Sequence, residues 1–267
     1  MKDLKDKVAL ITGGATGIGL ALAIELAKEP MKIVIASTNK ENLESASKKI
    51  KEAGAIDVLP VVCDVSDRSS VESLYKEATS KFGFIDLLVC NAGVTTSGPF
   101  VDHRPQDWSW VYDVVLHGTT YCIQFFYPDM VKRKTGHIVI IGSQAGMAVD
   151  WVSLHGPYTS AKSAVMALGA ALRPEAAEHG VGVSSVIVAG TQTDIMKCER
   201  SRPERYGDAL KFDIKKREAR RIPPKDVAEM IIRGVREDKG WVATHPELKY
   251  LTEGYFGRIL EAYDQWK

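Results

Sequence analysis

The sequence lacks the features that mark several large classes of protein. None of its apolar runs is long enough to span a bilayer, and its charged start, Met1–Lys7, does not follow the pattern of a signal peptide. Its 35 basic and 34 acidic residues leave a net charge of +1, so nothing attracts it generally to nucleic acid or to an anionic membrane. We therefore expect a cytoplasmic protein with no nucleic-acid partner and no membrane partner.

Cysteine and histidine are scarce and scattered. The four cysteines (Cys63, Cys90, Cys122 and Cys198) show no metal-ligand spacing, and the six histidines form no cluster. We therefore predict no metal site, and we expect Cys63 and Cys90, which lie in or beside apolar runs, to be small core residues. The chain also has no repeat, no low-complexity tract and no linker, which predicts one domain over residues 1–267.

Apolar runs alternate with helical patterns along the chain. The predicted strands are Lys7–Thr12, Lys32–Ser37, Asp57–Val62, Ile85–Cys90, Gly136–Ile141, Val181–Val188 and Trp241–Thr244. The predicted helices are Gly17–Lys28, Asn39–Ala53, Ser69–Phe82, Asp107–Lys132 and Tyr158–Glu178, with a bend at Pro174 and a further helix beginning at Pro223-Pro224. This alternation predicts an α/β protein with a three-layer Rossmann fold, in which helices cover both faces of a doubly wound parallel sheet.

A glycine-rich turn joins the first predicted strand to the first predicted helix. It reads Thr12-Gly-Gly-Ala-Thr-Gly-Ile-Gly19 and contains Gly13, Thr16, Gly17, Ile18 and Gly19. Glycines let the backbone approach a ligand closely, and the free N–H groups of a helix N-terminus favour an anion. The turn therefore predicts a diphosphate site, and the alternative is a glycine-rich turn that binds nothing.

Tyr158 and Lys162 form a Tyr-xxx-Lys pair at the start of a predicted helix. Positions i and i+4 share one helix face, so the phenol and the ammonium can meet at one ligand. A nearby ammonium favours the phenolate, which makes Tyr158 a candidate acid/base. A second pair of this kind, Tyr263 and Lys267, stands at the end of the sequence, and we assign it to chance.

Ser143 follows a predicted strand, at the edge of the sheet where doubly wound folds bind ligands. Its hydroxyl can stabilise charge on a substrate carbonyl oxygen. The alternative is a serine that satisfies loop backbone groups.

Five motifs in this order resemble the short-chain dehydrogenases/reductases. They are the glycine-rich turn, Asp64-Val65, Cys90-Asn91-Ala92-Gly93, Ser143, and Tyr158 with Lys162. The resemblance covers nearly the whole chain and implies an enzyme that interconverts a secondary alcohol and a ketone with NAD(P)(H). A finer similarity, in Gly156–Tyr158 and Arg200–Gly207, is to bacterial dehydrogenases of aryl side-chain alcohols.

The resemblance also implies a role for each motif. Asp64 and Val65 would contact adenine; Asn91, Ala92 and Gly93 would line the cofactor; Thr193 would touch the nicotinamide carboxamide. Tyr158 would be the acid/base, Lys162 would hold the ribose and lower the pKa of the tyrosine, and Ser143 would orient the substrate oxygen.

Two positions depart from the family pattern. Val115 stands where the family has an asparagine that anchors a water in a proton relay, and Val188-Ala189-Gly190 replaces the usual Pro-Gly. These departures keep open a second interpretation, a dinucleotide-binding sensor or scaffold with little catalysis. The intact Ser143, Tyr158 and Lys162 favour the enzyme.

The end of the second strand carries information about the cofactor. An acidic residue there would bind the ribose hydroxyls of NAD, but Ser37 occupies that place. Ser37, Thr38 and Asn39 can donate to a 2′-phosphate, and Lys40 adds positive charge. We therefore predict a preference for NADP(H), with NAD(H) possible; the alternative for Lys40 is a solvated residue at a helix start.

Large apolar residues flank the predicted active site. Met147, Trp151, Leu154 and Met196 can wall a pocket for a bulky aromatic or steroid-like body, and the alternative is ordinary loop packing. Segment 190–221 would be a lid over this pocket, and His155 lines it or is a surface-loop residue. The basic residues Arg200, Arg202, Arg205, Lys215 and Lys216 either meet an acidic substrate group or, as we favour, form a solvated face.

The resemblance further implies a homodimer or homotetramer. Its interfaces would be the helices Asp107–Lys132 and Tyr158–Glu178. Five apolar residues are consistent with this if they lie on the outer helix faces: Val114, Tyr121, Phe125, Val165 and Leu168.

Overall fold

The computed structural model of the protein describes residues 1–210, 212 and 220–265. Its strands form one parallel seven-stranded sheet in the order β3-β2-β1-β4-β5-β6-β7. The strands are β1 (Val8–Thr12), β2 (Lys32–Ser37), β3 (Asp57–Val62), β4 (Leu87–Cys90), β5 (Gly136–Ile141), β6 (Val181–Ile187) and β7 (Trp241–Ala243). The strand order reverses between β1 and β4, as expected for a doubly wound sheet.

Helices cover both faces of this sheet. They are α1 (Gly17–Ala27), α2 (Lys40–Glu52), α3 (Arg68–Phe82), α4 (Pro105–Tyr112), α5 (Gly118–Arg133), α6 (Gln144–Met147), α7 (Gly156–Glu178), α8 (Pro224–Arg236) and α9 (Lys249–Asp264). Buried residues of α1, α2 and α8 form one core layer, and those of α3, α4, α5 and α7 form the other. The predicted three-layer fold is confirmed. No helix in the described part of the chain has the length and apolar content needed to cross a membrane.

Each of the strands β1 to β6 contributes to both core layers because successive side chains point to opposite faces. In β1, Val8 and Leu10 pack with the α3–α5–α7 layer, whereas Ala9 and Ile11 pack with the α1–α2–α8 layer. This two-sided burial explains why the strands are continuously apolar in sequence rather than alternating. Cys63 and Cys90 are buried in the α3–α5–α7 layer, as predicted.

Most predicted strand boundaries are correct to within one residue. The exception is β4, which begins at Leu87 and not at Ile85. Asp86 explains the difference, because its buried carboxylate accepts the N–H of Val8 (3.0 Å), a bond that a strand carbonyl would otherwise make. Arg133 pairs with the same carboxylate (3.1 Å), so this end of the sheet is closed by an ion pair.

The predicted helix Asp107–Lys132 is interrupted by one wider turn. After α4, a π-helical turn spans Asp113–His117, and the N–H of Gly118 donates to the carbonyl of Asp113, five residues back. No periodic signal in the sequence indicates this turn. The predicted helix Tyr158–Glu178 is α7, which continues past Pro174, so that proline is not a helix boundary.

Two residues assigned to outer helix faces lie in the core. Val114 and Val165 are buried, because the π-helical turn and α7 pack against each other at this point. Tyr121, Phe125 and Leu168 are half-buried against the same core layer. The assignment of Val114 and Val165 to an exposed apolar surface was therefore wrong.

The close packing of α7 on β6 depends on Gly169. A Cβ at this position would lie 2.1 Å from Oγ of Ser185. We expect Gly169→Ala to lower the free energy of unfolding by about 1–3 kcal/mol, because a well-packed core does not accept an extra methyl group. The measurement is urea unfolding followed by circular dichroism.

Gly257 provides the matched control for this substitution. It lies in α9, and a Cβ there would meet no atom within 4 Å. Gly257→Ala should raise stability slightly, since alanine is the better helix former. Equal losses in the two variants would contradict the packing argument.

Candidate active site

A hydrogen-bond network holds the loops at the point where the strand order reverses. The hydroxyl of Thr12 donates to the carbonyl of Val89 (3.3 Å) and accepts from the N–H groups of Asn91 (3.0 Å) and Ala92 (3.1 Å). The amide of Asn91 donates to the carbonyls of Thr12 (2.9 Å) and Gly13 (3.2 Å). These contacts make Asn91 a brace between the carboxyl ends of β1 and β4. Ligands of open α/β sheets bind in this crevice.

The glycine-rich turn forms a cradle with no room for side chains. Gly13 and Gly17 have φ of +61° and +54°, which L-residues rarely adopt. A Cβ at Gly19 would lie 2.3 Å from the carbonyl oxygen of Gly13. Within the described residues, the side chain of Thr16, the N-cap of α1, makes no capping hydrogen bond. The N–H groups of the first turn therefore face the crevice without a side-chain acceptor, and the cradle fits a diphosphate.

A cavity of about 380 Å³ extends from this cradle under the segment that follows β6. Its lining brings together most of the residues selected from the sequence: Gly13, Thr16, Gly17, Ile18, Asn91, Ala92, Gly93, Ser143, Trp151, His155, Tyr158, Lys162, Thr193 and Met196. Met147, predicted as a pocket wall, is a half-buried residue of α6 and is not part of this lining. The lining also includes Cys198 and Arg221, which sequence reasoning had not assigned to the pocket.

The ammonium of Lys162 is buried below the cavity. Its Nζ donates to the carbonyl of Ile141 (2.6 Å) and lies 5.8 Å from the ring centroid of Tyr158. The side chain of Ser143 accepts from the N–H of Ala145 (3.1 Å) and so caps α6. This is the alternative role considered for it in the sequence, a serine that satisfies backbone groups of its loop. Its hydroxyl also interacts with Tyr158, so Ser143 serves the loop and faces the cavity at the same time.

Burial shifts both ionisable groups toward their neutral forms. It raises the pKa of Tyr158 above its ordinary value, and the hydroxyl of Ser143 partly opposes this shift. Burial also lowers the pKa of Lys162 to about 8. The protein groups alone therefore move the pKa of Tyr158 in the direction opposite to the one that the sequence analysis expected from Lys162.

The carboxyl end of β2 forms the outer corner of the crevice. The hydroxyl of Ser37 accepts from the N–H of Asn39 (3.4 Å), and the side chain of Asn39 caps α2 by accepting from Asn42 (2.7 Å). Thr38 and Lys40 are exposed beside them. This corner therefore offers hydroxyl groups and one ammonium and contains no carboxylate from β2.

Asp64 lies next to this corner because the N–H of Cys63 donates to the carbonyl of Ser37 (3.0 Å). Its carboxylate accepts from Ser66 (2.6 Å) and from Arg205 (2.8 Å). Burial opposes ionisation, but these bonds keep the pKa of Asp64 below its ordinary value. Val65 follows and packs against Gly118, where a Cβ would lie 2.8 Å from its side chain.

The segment after β6 is anchored by a buried ion pair. Arg202 donates to the carboxylate of Asp107 (2.7 Å), and the two side chains are 3% and 0% exposed. Cys198 adds a second anchor, since its thiol donates to the carbonyl of Thr95 (3.2 Å). The interpretation of the basic residues as a solvated face was thus wrong for Arg202.

The other basic residues of this segment differ in their surroundings. Arg205 pairs with Asp64, and Arg200 lines the cavity. Lys215 and Lys216 lie outside the described residues, as does Lys267 of the second Tyr-xxx-Lys pair. No local pattern distinguishes Arg202 from its neighbours, so its partner 95 residues away could not be identified from the sequence.

Val115 lies in the π-helical turn and is buried. Its carbonyl accepts from the hydroxyl of Thr119 (2.8 Å). The position at which the sequence departs from the family pattern is therefore an apolar core position, and it lies within the π-helical turn.

Comparisons with known proteins agree with this geometry. A family model described as short chain dehydrogenase matches residues 7–204. A C alpha-dehydrogenase from Sphingobium sp. (strain NBRC 103272 / SYK-6) is 31% identical and covers 98% of this chain and 88% of its own length. A short-chain dehydrogenase/reductase from Burkholderia phymatum, solved with NAD, has a TM-score of 0.85 at 29% identity, covering 95% and 94% of the two chains. A metagenomic short-chain oxidoreductase, solved with NADP, has a TM-score of 0.73 at 25% identity, covering 90% and 95%.

Lys162 makes the stability of the protein depend on pH. Because its pKa is lower in the folded chain (about 8, against 10.5), the unfolded chain binds more protons between these values, and stability rises with pH through this window. We expect Lys162→Met to remove this rise. Between pH 7.5 and pH 10.5 the wild type should gain up to about 3 kcal/mol relative to the variant, measured by urea unfolding.

Lys225→Met is the control, because Lys225 lies on the exposed face of α8. It removes an ammonium without opening a buried site. Parallel stability profiles for the wild type and Lys162→Met, or an equal effect of Lys225→Met, would contradict the argument.

Proposed function

The chain belongs to the short-chain dehydrogenase family, and on that premise we propose that it interconverts a secondary alcohol and a ketone on a bulky apolar substrate, with Tyr158 as the acid/base. Membership in this family makes it an oxidoreductase that uses a nicotinamide dinucleotide. The proposal adds the substrate class, the cofactor preference and the role of each residue.

One observation carries the proposal. Ser143 lies at the start of α6, Tyr158 and Lys162 lie one turn apart in α7, and all three line a single cavity, which continues into the glycine cradle. A protein that only binds a dinucleotide has no need of a buried ammonium beside a phenol and a hydroxyl. The dinucleotide-binding sensor is therefore the weaker interpretation, and no contact in the site favours it.

The residues present support a division of labour. The nicotinamide supplies or accepts the hydride when the cofactor is bound. Tyr158 then gives a proton to the substrate oxygen or takes one from it, and Ser143 holds that oxygen by a hydrogen bond. Lys162 holds a ribose hydroxyl, and positive charge near the phenol favours the ionised form of Tyr158. Backbone N–H groups at Gly17–Gly19 bind the diphosphate.

The remaining cofactor contacts follow from positions along the crevice. We propose that Asp64 and Val65 contact the adenine, that Asn91, Ala92 and Gly93 line the cofactor, and that Thr193 meets the nicotinamide carboxamide. Thr193 supports this placement, because its methyl group lies 3.3 Å from where a Cβ at Gly17 would be. It therefore closes over the diphosphate cradle from the segment after β6.

The wall of the cavity supports a bulky apolar substrate. Trp151, Val152, Ile195 and Met196 contribute large apolar side chains to the lining of the cavity. Met196 is half exposed and lines the cavity together with other described residues of segment 190–221, which supports this segment as a lid. The similarity to a C alpha-dehydrogenase supports an alcohol carried on an aryl side chain.

We also propose that the enzyme is a homodimer or homotetramer. The half-buried residues Tyr121, Phe125 and Leu168 support an interface on α5 and α7. Val114 and Val165 no longer contribute to this argument.

The test of the acid/base role is Tyr158→Phe, measured by ketone reduction with NADPH. We expect kcat to fall by about 10²–10⁴-fold, the usual contribution of general acid–base catalysis, because the variant has no proton to transfer. The dissociation constant for NADPH, from calorimetry, should stay close to that of the wild type. Retained turnover would exclude Tyr158 as the acid/base.

The proposed preference for NADP(H) rests on Ser37. Ser37→Asp places a carboxylate where a 2′-phosphate would bind, and like charges repel, so the dissociation constant for NADPH should rise by about tenfold or more. That for NADH should stay the same or fall. Ser37→Asn is the matched control, because it has nearly the size of Asp without its charge. Tighter binding of NADH than NADPH by the wild type would overturn this preference.

A further inference from the structure

The cavity carries more positive than negative charge. Among its described lining residues, the positively charged side chains are Lys162, Arg200 and Arg221, and the negatively charged one is Asp194. Clefts lined by one sign of charge concentrate ligands of the opposite sign. Lys162 is buried and donates to the carbonyl of Ile141, so the exposed positive charge of the cavity comes from Arg200 and Arg221.

Asp194 does not neutralise this excess. Its carboxylate lies 2.9 Å from Nζ of Lys197 and 3.9 Å from the guanidinium of Arg200. Lys197 is not part of the cavity lining and takes the closer contact. Arg200 is therefore only loosely paired, at a point where its side chain is 57% exposed.

Arg221 is fixed at the opposite end of the same segment. The N–H of Ile222 donates to the carbonyl of Gly190 (3.0 Å), and the carbonyl of Arg221 accepts from the side chain of Gln192 (3.2 Å). These bonds hold the backbone of Arg221 against the strand end at Val188–Gly190, which lines the cavity. Among the described residues, no carboxylate forms an ion pair with its guanidinium, whereas neighbouring Arg220 pairs with Glu247 (3.5 Å).

Two further described arginines of the segment, Arg202 and Arg205, are each paired with a carboxylate. Arg202 is buried against Asp107, and Arg205 holds Asp64. Of the described arginines between β6 and α8, those without a close carboxylate are thus the two that line the cavity. Guanidinium groups bind carboxylates strongly and with defined geometry.

We propose that Arg200 and Arg221 bind a carboxylate carried by the substrate, at the end away from the reacting carbon. This inference rests on the proposed function, since it names the substrate class of the same site. The preferred substrates are then bulky aryl ketones or alcohols that bear an acidic group, held by Ser143 and Tyr158 at the reacting carbon and by the two arginines at the cavity opening.

The test compares matched ketones with the full-length protein and NADPH. The substrates are 4-acetylbenzoate and its methyl ester, which share a ring and a ketone and differ in charge. We expect kcat/KM for the carboxylate to exceed that for the ester by about tenfold or more, the range of a hydrogen bond to a charged group. This ratio should fall toward one in Arg200→Met/Arg221→Met and remain in Arg220→Met, the matched control.

A binding measurement separates this proposal from the proposed function. Calorimetry with benzoate and benzamide on the protein saturated with NADP⁺ reports the anion site without turnover. Tighter binding of benzoate, lost in the double variant, supports the site even if neither ketone is reduced, and the failure then lies in the proposed reaction. Equal binding of benzoate and benzamide, together with equal reduction of the two ketones, overturns the proposal.

The cofactor diphosphate is the competing anion, and the same variants distinguish it. If the double variant weakens NADPH binding and leaves the preference for benzoate intact, the arginines serve the cofactor and the proposal is wrong. If the preference for benzoate is lost, the arginines serve the substrate.

Discussion

The hydrogen bonds of Thr12 at the junction of β1 and β4 are the constraint on which the rest of the site depends. All seven strands run in one direction, so their carboxyl ends meet at one edge, and the reversal of strand order opens a crevice there. Thr12 ties β1 to Asn91 and Ala92 across that crevice. The glycine cradle on one side and the cavity on the other are positioned by this one residue and its partners.

Burial is the main electrostatic force within the cavity. It disfavours the charged form of both Tyr158 and Lys162, since an ion loses hydration whatever its sign. In the described part of the chain, the ammonium is held by a hydrogen bond to the carbonyl of Ile141. Because burial disfavours both charged forms, charge that a bound ligand brings into the cavity can change the protonation states of Tyr158 and Lys162.

The fold could be predicted from the sequence because its signals are local. Each buried strand is a continuous apolar run, and Thr12–Gly19 combines a strand end, a turn and a helix start in eight residues. Ser143, Tyr158 and Lys162 were found in the same way, because each stands beside a strand end or a helix start. These features can be identified without knowledge of any tertiary contact.

The features that escaped prediction all depend on distant partners. Asp86 shortens β4 through contacts with Val8 and Arg133, and the π-helical turn before Gly118 has no periodic signature. The prediction of a solvated face is wrong for Arg202 because nothing near it in sequence identifies Asp107 as its partner. Charge in a sequence indicates where solvation is needed, but not whether water or a carboxylate provides it.

The pair formed by Arg202 and Asp107 has a consequence for the rate at which the cavity exchanges its contents. Leaving one charge of a buried ion pair unpaired costs about 3–5 kcal/mol, which opposes any separation of the two side chains. Any displacement of the segment that requires this separation is correspondingly rare. Exchange of ligands is therefore expected to leave this pair closed.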